Sequence, residues 1–379
     1  MSVLRVALLT NFVAPYRVPL FEALRERVGH LRVFASTPIE PNRTWTTYRG
    51  GLDVTVQRTI TLRKRWRDAA GFTDTGYVHF PYDTLAQLRR FRPDAIISSE
   101  LGLRTALAAV YKQRHKGVRL VIWATVSEHT ESDRGLLRSL IRPRLLRYAD
   151  AVLVNGASGA RYVAKLGVPR ERVTLAPYTT DVGAFQTLRR VRDGRCAIRL
   201  LFAGMFVERK GLMPFLAVLR RWADAHPQSH VQFDIAGDGP LRPQLEAFVG
   251  GKHLAVKVLD PVPYDRLPEL YAGADIFVLP TLADEWAVVV NEAMAAGLPV
   301  LGSRHSQAVE ELVTDAETGW TFTPENDESV YDALDRALGT SADTRQRMGT
   351  DARQRVLKLT PDRVADRIAE TLCLTPLSS

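Results

Sequence analysis

Short apolar runs rich in β-formers alternate with amphipathic helical stretches along the chain, and the alternation occurs twice. LRVALLT, LRVFAS, DAIISS and VRLVIWA read as strands in the first half, and RLLFAG, VQFDIAG, VKVLD, DIFVLP and LPVLGS in the second. Between them lie helical patterns such as VPLFEALRERV, YDTLAQLRRF, LMPFLAVLRRWADA, LRPQLEAFV and YDRLPELYAGA. Such alternation dictates parallel sheets with helices on both faces. A chain of 379 residues is too long for one ordinary core and suits two such domains. The expectation is α/β: two doubly wound domains facing a central cleft. The Arg- and Gly-containing stretch LRRVRDGRCAIRL, near residues 186–198, reads as the linker. It sets a first domain over 1–187, a second over 188–360, and a last helix, PDRVADRIAETL, in 361–379 that packs back on the first.

The bulk numbers narrow the class. Hydrophobic residues make up 46% and charged residues 25%, which is globular composition rather than disorder. No apolar run approaches the roughly 18–20 residues of a membrane span. The opening MSVLRVALLTNFVAP holds a shorter apolar run than a secretory leader needs and reads as a first buried strand. Cys196 and Cys373 are too few for a disulfide framework, which points to a reduced, cytoplasmic setting. The net charge is +9, yet residues 1–180 carry 29 Lys+Arg against 14 Asp+Glu. The excess therefore lies in the first half, and it suggests an anionic partner for that half. No nucleic-acid-binding module is recognisable, so that partner is not read as nucleic acid.

Ligands of doubly wound sheets bind at the carboxyl ends of the strands, so the loops there carry the chemistry. In LADEWAVVVNEAMAAGLPV the loop LADEWA follows a strand, and a helix runs from near Val288 to Gly297. Asp284 lies in the loop, and Glu292 about one turn into the helix, among Val288, Val289 and Ala296. Free N–H groups at the helix start can seat phosphate, and a carboxylate can accept hydrogen bonds from paired sugar hydroxyls. A helix dipole explains Asp284 and Glu285 well, though function is favoured for Asp284 too, and it explains poorly a carboxylate on the apolar face at 292. In LLFAGMFVERKGLMPF a strand ends at Gly204, and Arg209 and Lys210 precede Gly211 and a helix, which suits a diphosphate. DIAGDGPL closes a turn after the next strand and lacks the dinucleotide fingerprint G-x-G-x-x-G.

GMFVERKG, IAGDGPL, DIFVLPT, DEWAVVVNEAMAAGLPVLGS and EELVTDAETGW occur in this order over about residues 198–330. Together they resemble the C-terminal domain of glycosyltransferase family 4, retaining enzymes of the GT-B fold. TNFVAPYRVPLFEAL and RYADAVLVNGASGARYVAKLGVP resemble the family's N-terminal domain more loosely. The resemblance implies two Rossmann-like domains and a nucleotide-sugar donor, UDP- or GDP-linked, held mainly by the second. It implies that Glu292 holds the donor ribose. Asp284, standing where the family has Glu, would meet hydroxyls of the transferred sugar. Backbone at Trp286, Ala287 and Val288 would face the diphosphate beside Gly204 and Lys210. The family's Arg after the first glycine is Met205 here, a departure that leaves Arg209 as the second cation. Glu311 matches a further acidic position. On the acceptor side the family often carries a His after the strand LVIWA, for which His129 is the nearby candidate; Asn11, Tyr16 and Arg17 follow the first strand.

The expected reaction is transfer of a hexose-type sugar to a hydroxyl of a glycan or lipid-linked acceptor, with retention. The chain contains no Asp-x-Asp pair and no His/Cys cluster of ligand spacing, so no metal and no other cofactor is expected. LRKRWRDAAGF (62–72) and LLRSLIRPRLLRYA (136–149) mix cations with apolar residues, as a segment resting on an anionic membrane does, or an ordinary amphipathic helix packed on its domain. Expected localisation is therefore cytoplasmic, with a peripheral place on the inner face of the cell membrane as an option. A nucleotide-sugar epimerase or hydrolase on the same fold, or a silent sugar- or membrane-binding module, are the alternative readings.

Overall fold

A computed structural model of the chain describes residues 4–41, 49–67, 71–131, 136–186, 197–263 and 266–373. It divides into two compact units. One comprises the chain up to Trp66, Thr75–Asp181 and the stretch from Thr360 on; the other comprises Arg67–Asp74 and Val182–Leu359.

The first unit holds β1 (Leu4–Thr10), α1 (Val18–Val28), β2 (Gly29–Ala35), β3 (Asp53–Val56), most of β4 (Thr59–Arg67) and β5 (Thr73–Pro81), and α2 (Thr84–Phe91). It continues through β6 (Ala95–Ser99), α3 (Leu103–Arg114), β7 (Arg119–Ala124), α4 (Leu136–Leu146), β8 (Ala151–Val154), α5 (Ala157–Lys165) and β9 (Val173–Leu175). Seven strands form one parallel sheet in the order β3-β2-β1-β6-β7-β8-β9. Val6–Leu9, Ile96, Ile97 and Leu120–Ala124 are wholly buried, because helices cover both faces; such strands read as continuous apolar runs.

The second unit holds α6 (Gly183–Gln186), β10 (Ile198–Ala203), α7 (Leu212–Ala225), β11 (Val231–Ala236), α8 (Arg242–Glu246), β12 (Leu254–Leu259), α9 (Leu267–Ala272) and β13 (Ile276–Leu279). After these come α10 (Val288–Ala295), β14 (Val300–Ser303), α11 (Gln307–Leu312), β15 (Gly319–Phe322), α12 (Asp327–Gly339) and α13 (Ala342–Val356). Its sheet is parallel in the order β12-β11-β10-β13-β14-β15. Both sheets are doubly wound, and each reverses its strand order at one point: between β1 and β6, and between β10 and β13.

The division falls at Asp181/Val182, ahead of 187/188. Phe185 of α6 explains this: its buried ring packs edge-on against Tyr271 of α9, centroids 5.6 Å apart, so the chain joins the second unit before the Arg-rich stretch begins. Residues 187–196 of that stretch, Cys196 included, lie outside the described residues. The last helix, α14 (Pro361–Cys373), belongs to the first unit. Its stripe of Val364, Ala365, Ile368 and Leu372 is buried, and Arg27 of α1 reaches Asp362 at 3.1 Å and Asp366 at 2.5 Å. One basic stretch needs correction: 62–67 is no helix but the end of β4, paired with β5 in a separate two-stranded sheet. The β-branched run Thr59, Ile60, Thr61 favours a strand. LLRSLIRPRLL is helical, as α4. Among the described residues no helix is long and apolar enough to cross a membrane.

Candidate functional site

The second unit gathers its polar residues at the carboxyl ends of β10 and β13, on either side of the point where strand order reverses. The loop after β10 tightens into a short 3-10 helix, Glu208–Lys210, and ends at Gly211 (φ 66°). A Cβ at Gly211 would stand 2.1 Å from the Pro280 carbonyl oxygen, so only glycine lets this loop lie against the one after β13. The two loops are then zipped: Leu282 N–H donates to the Arg209 carbonyl at 2.9 Å, and Thr281 Oγ1 to the same oxygen at 3.1 Å. The GDG turn after β11 locks from the other side. A Cβ at Gly237 would meet the Gly204 carbonyl oxygen at 1.9 Å, while Phe206 N–H donates to the Asp238 carbonyl at 2.8 Å.

This packing puts Lys210 and Asp284 in contact. Lys210 Nζ donates to Asp284 Oδ2, Arg209 Nη1 lies 3.5 Å from the same oxygen, and Trp286 N–H donates to Asp284 Oδ1 at 3.2 Å. Asp284 is 8% exposed. Burial alone would raise its pKa, but the two cations and the Lys210 and Trp286 hydrogen bonds outweigh it and hold the carboxyl at about 2. Arg209 also donates to the Ala283 carbonyl at 2.8 Å. Asp284 N–H donates to the His305 carbonyl at 3.0 Å, and His305 Nδ1 lies 3.1 Å from the Leu282 carbonyl and 3.0 Å from Glu325 Oε1.

Ala287 adopts a left-handed conformation (φ 68°, ψ 79°) and caps α10. Among the described residues the N–H groups of Ala287, Val288 and Val289 have no backbone acceptor, whereas that of Trp286 is taken by Asp284. The Trp286 ring is buried, and its indole donates to Asn291 at 2.9 Å. Glu292 is 4% exposed and accepts from Tyr271 Oη at 2.8 Å. Burial pushes its carboxyl up to about 7, the tyrosine hydroxyl opposing only in part. Gly204, Met205 and Glu311 are half-buried, and Arg355 donates to the Glu311 carbonyl at 3.0 Å.

In the first unit Asn11 directly follows β1 and joins a network across the other reversal point. Its amide donates to Glu100 Oε1, and its oxygen accepts from Arg104 Nη2 at 2.5 Å. Arg17 is 6% exposed and stacked against Trp123, Tyr178 and Phe21, its guanidinium carbon 4.3, 4.5 and 5.0 Å from their centroids. The aromatic faces offset the cost of burying that charge. Tyr16 is half-buried, its ring 6.1 Å from that of Tyr178. His129 is half-buried in a turn closed by Ser127 and Thr130, where Thr130 N–H donates to Ser127 Oγ at 3.0 Å. Its neighbour Glu128 is held by Arg161 at 2.7 Å and Lys165 at 2.6 Å.

Sequence reasoning missed Tyr271, His305, Glu100 and Arg104. Tyr271 and Glu292 are 21 positions apart with no local signal joining them. Glu100 did carry a signal, as an acid directly after a strand. Among the described residues no group of three His, Cys, Asp or Glu is arranged to hold a metal ion.

Comparison with known proteins agrees with this architecture. Residues 13–179 match the glycosyl transferase 4-like domain, and residues 197–340 match the glycosyl transferases group 1 family. Together the matches and the fold class the chain with the GT-B glycosyltransferases. A similar curated protein is the sulfoquinovosyl transferase SQD2 of Arabidopsis thaliana, 28% identical over 293 residues, covering 72% of this chain and 55% of the relative. Another is the MMP alpha-(1->4)-mannosyltransferase of Mycolicibacterium hassiacum, 26% identical over 212 residues, covering 55% of this chain and 50% of the relative. The chain spans about half the length of these relatives. Among solved structures, Anabaena Alr3699/HepE in complex with UDP and glucose superimposes with a TM-score of 0.72 at 16% identity, over 98% of this chain and 100% of that one. The lipopolysaccharide outer core galactosyltransferase WaaB gives 0.72 at 11% identity, over 97% and 99%.

Proposed function

We propose that this protein transfers a hexose-type sugar from a nucleotide-diphosphate sugar to a hydroxyl of a glycan or lipid-linked acceptor, with retention and without a metal ion. The observation that carries the reading is the buried Lys210–Asp284 pair beside the start of α10, at the strand-order reversal where doubly wound sheets bind ligands. The names of similar proteins support sugar transfer, and UDP accompanies one structural neighbour.

Breaking the anomeric carbon–oxygen bond leaves negative charge on the departing diphosphate. Lys210, Arg209 and the free N–H groups of Ala287–Val289 stabilise that charge electrostatically. Asp284 exchanges part of its contact with Lys210 for a sugar hydroxyl. Glu292 accepts the two ribose hydroxyls, which favour its charged form, so donor binding releases a proton near neutral pH. With the leaving group stabilised, the acceptor hydroxyl attacks the anomeric carbon from the same face, its proton passes to the departing diphosphate oxygen, and the configuration is kept.

The test is nucleoside diphosphate release from a panel of UDP- and GDP-sugars, with and without EDTA. Consumption of one donor regardless of EDTA supports the reading. Release abolished by EDTA removes the metal-free step, and an epimerised sugar without release favours an epimerase.

A further inference from the structure

The two sheets are built alike at their reversal points. In the second unit the loop after β10 supplies Lys210 and the loop after β13 supplies Asp284. In the first unit the loop after β1 supplies Asn11 and the loop after β6 supplies Glu100, and these two are also in contact.

Glu100 is held in a costly conformation. It is a non-glycine residue at φ 73°, on the sharp turn between β6 and the start of α3. The turn is fixed on every side: Glu100 N–H donates to the Trp123 carbonyl at 3.1 Å, and its own carbonyl accepts from Thr105 Oγ1. Its carboxylate Oε1 accepts from Asn11, which is itself fixed by Arg104. Arg104 is 4% exposed and is anchored further by Ser36 Oγ at 2.7 Å and the Ser99 carbonyl at 3.2 Å. All this order serves an exposed side chain whose second oxygen has no hydrogen-bond partner among the described residues. A strained strand-to-helix turn that presents one polar side chain beyond the sheet is how other α/β folds expose a reacting group. Folding alone gives no reason to keep a glutamate there, since glycine would take this φ without strain.

We propose that Glu100 contacts the acceptor, its free oxygen accepting hydrogen bonds from hydroxyls of a neutral polyhydroxylated acceptor. The assignment rests on the transferase reading above. A carboxylate here selects hydroxyl donors and repels a phosphate or carboxylate placed against it. Asn11 and Arg104 are positioning residues for it.

The experiment uses the full chain and whichever of UDP-glucose, UDP-galactose, UDP-N-acetylglucosamine and GDP-mannose the wild type consumes fastest. Nucleoside diphosphate release is measured in water alone and with glycerol, myo-inositol or methyl α-glucoside, for wild type, Glu100→Gln, Glu100→Asp and Glu100→Gly. The expected result is a fall of about tenfold or more in the ratio of transfer to hydrolysis in Glu100→Gln, carried mainly by acceptor KM, with part recovered in Glu100→Asp. Glu100→Gly shows the same loss with a melting temperature equal to or above wild type. An unchanged ratio in both the Gln and Gly variants overturns the proposal. So does a parallel fall of hydrolysis and transfer with a lowered melting temperature, which marks a structural residue. A wild type that hydrolyses donor but responds to none of these acceptors overturns the neutral-polyol assignment. A wild type that consumes no donor instead sinks the transferase reading itself, and the assignment with it.

Discussion

Lys210 and Asp284, 74 positions apart, meet as a buried ion pair because Gly211 lets the loop after β10 lie against the Pro280 carbonyl. The side chains are 13% and 11% exposed, so solvent screens the pair little. A cation and an anion are thus held side by side, as the proposed donor, with its phosphates and hydroxyls, would require.

Removing one partner leaves a charge in a site built for two. Lys210→Ala is expected to destabilise the fold by about 3 kcal/mol, with Arg209 limiting the loss. Adding Asp284→Ala should recover at least about 1 kcal/mol of it, because the pair is coupled. Urea unfolding of the two single variants and the double variant measures both numbers; simple additivity would contradict the pairing.

Glu292 ties stability to pH in the opposite sense from a paired carboxylate. Its folded pKa of about 7 lies above the ordinary 4.5, so its contribution is fully present below pH 4.5 and is lost as pH rises through 7. Glu292→Gln removes that dependence. Relative to wild type the variant should gain about 3 kcal/mol between pH 4.5 and 7.5, read from unfolding curves at both values. A constant difference would mean that the carboxyl titrates normally.

Ala287 pays for its left-handed backbone at the start of α10. Ala287→Gly should raise stability by about 0.5 kcal/mol, the relief of strain exceeding the extra chain entropy of glycine. A lowered melting temperature would show that the methyl group packs better than the strain costs.

Gly211→Ala places a Cβ against backbone as well as at positive φ. A loss of about 2 kcal/mol or more is expected, with nucleotide affinity falling too because the Lys210 loop must move. Unaltered thermal stability and affinity would show that the loops are not interlocked.

The central strands were legible because they are buried on both faces: LRVALLT, DAIISS, VRLVIWA and DIFVLP carry no other plausible reading. The two-stranded sheet of β4 and β5 was not, since the exposed, Arg-rich LRKRWR shows no alternation of apolar and polar residues. Asp284, Arg209 and Lys210 stand out as candidates from their place after strands, yet their mutual contact depends on two loops meeting, which no spacing encodes. The surroundings of Arg17 were hidden for a related reason. Its cage of Trp123 and Tyr178 comes from distant strands and loops, so the sequence shows a cation after a strand and not the rings that enclose it. Glu100 is visible by the same rule as Asp284, but its strain exists only in three dimensions.

Calorimetric titration of UDP and GDP into wild type, Lys210→Ala and Glu292→Gln is the most direct test of this site. Wild type is expected to bind one of the two nucleotides, and each variant, still folded by circular dichroism, to lose about tenfold or more in affinity. Equal binding by all three proteins, or no binding by wild type, would contradict that expectation.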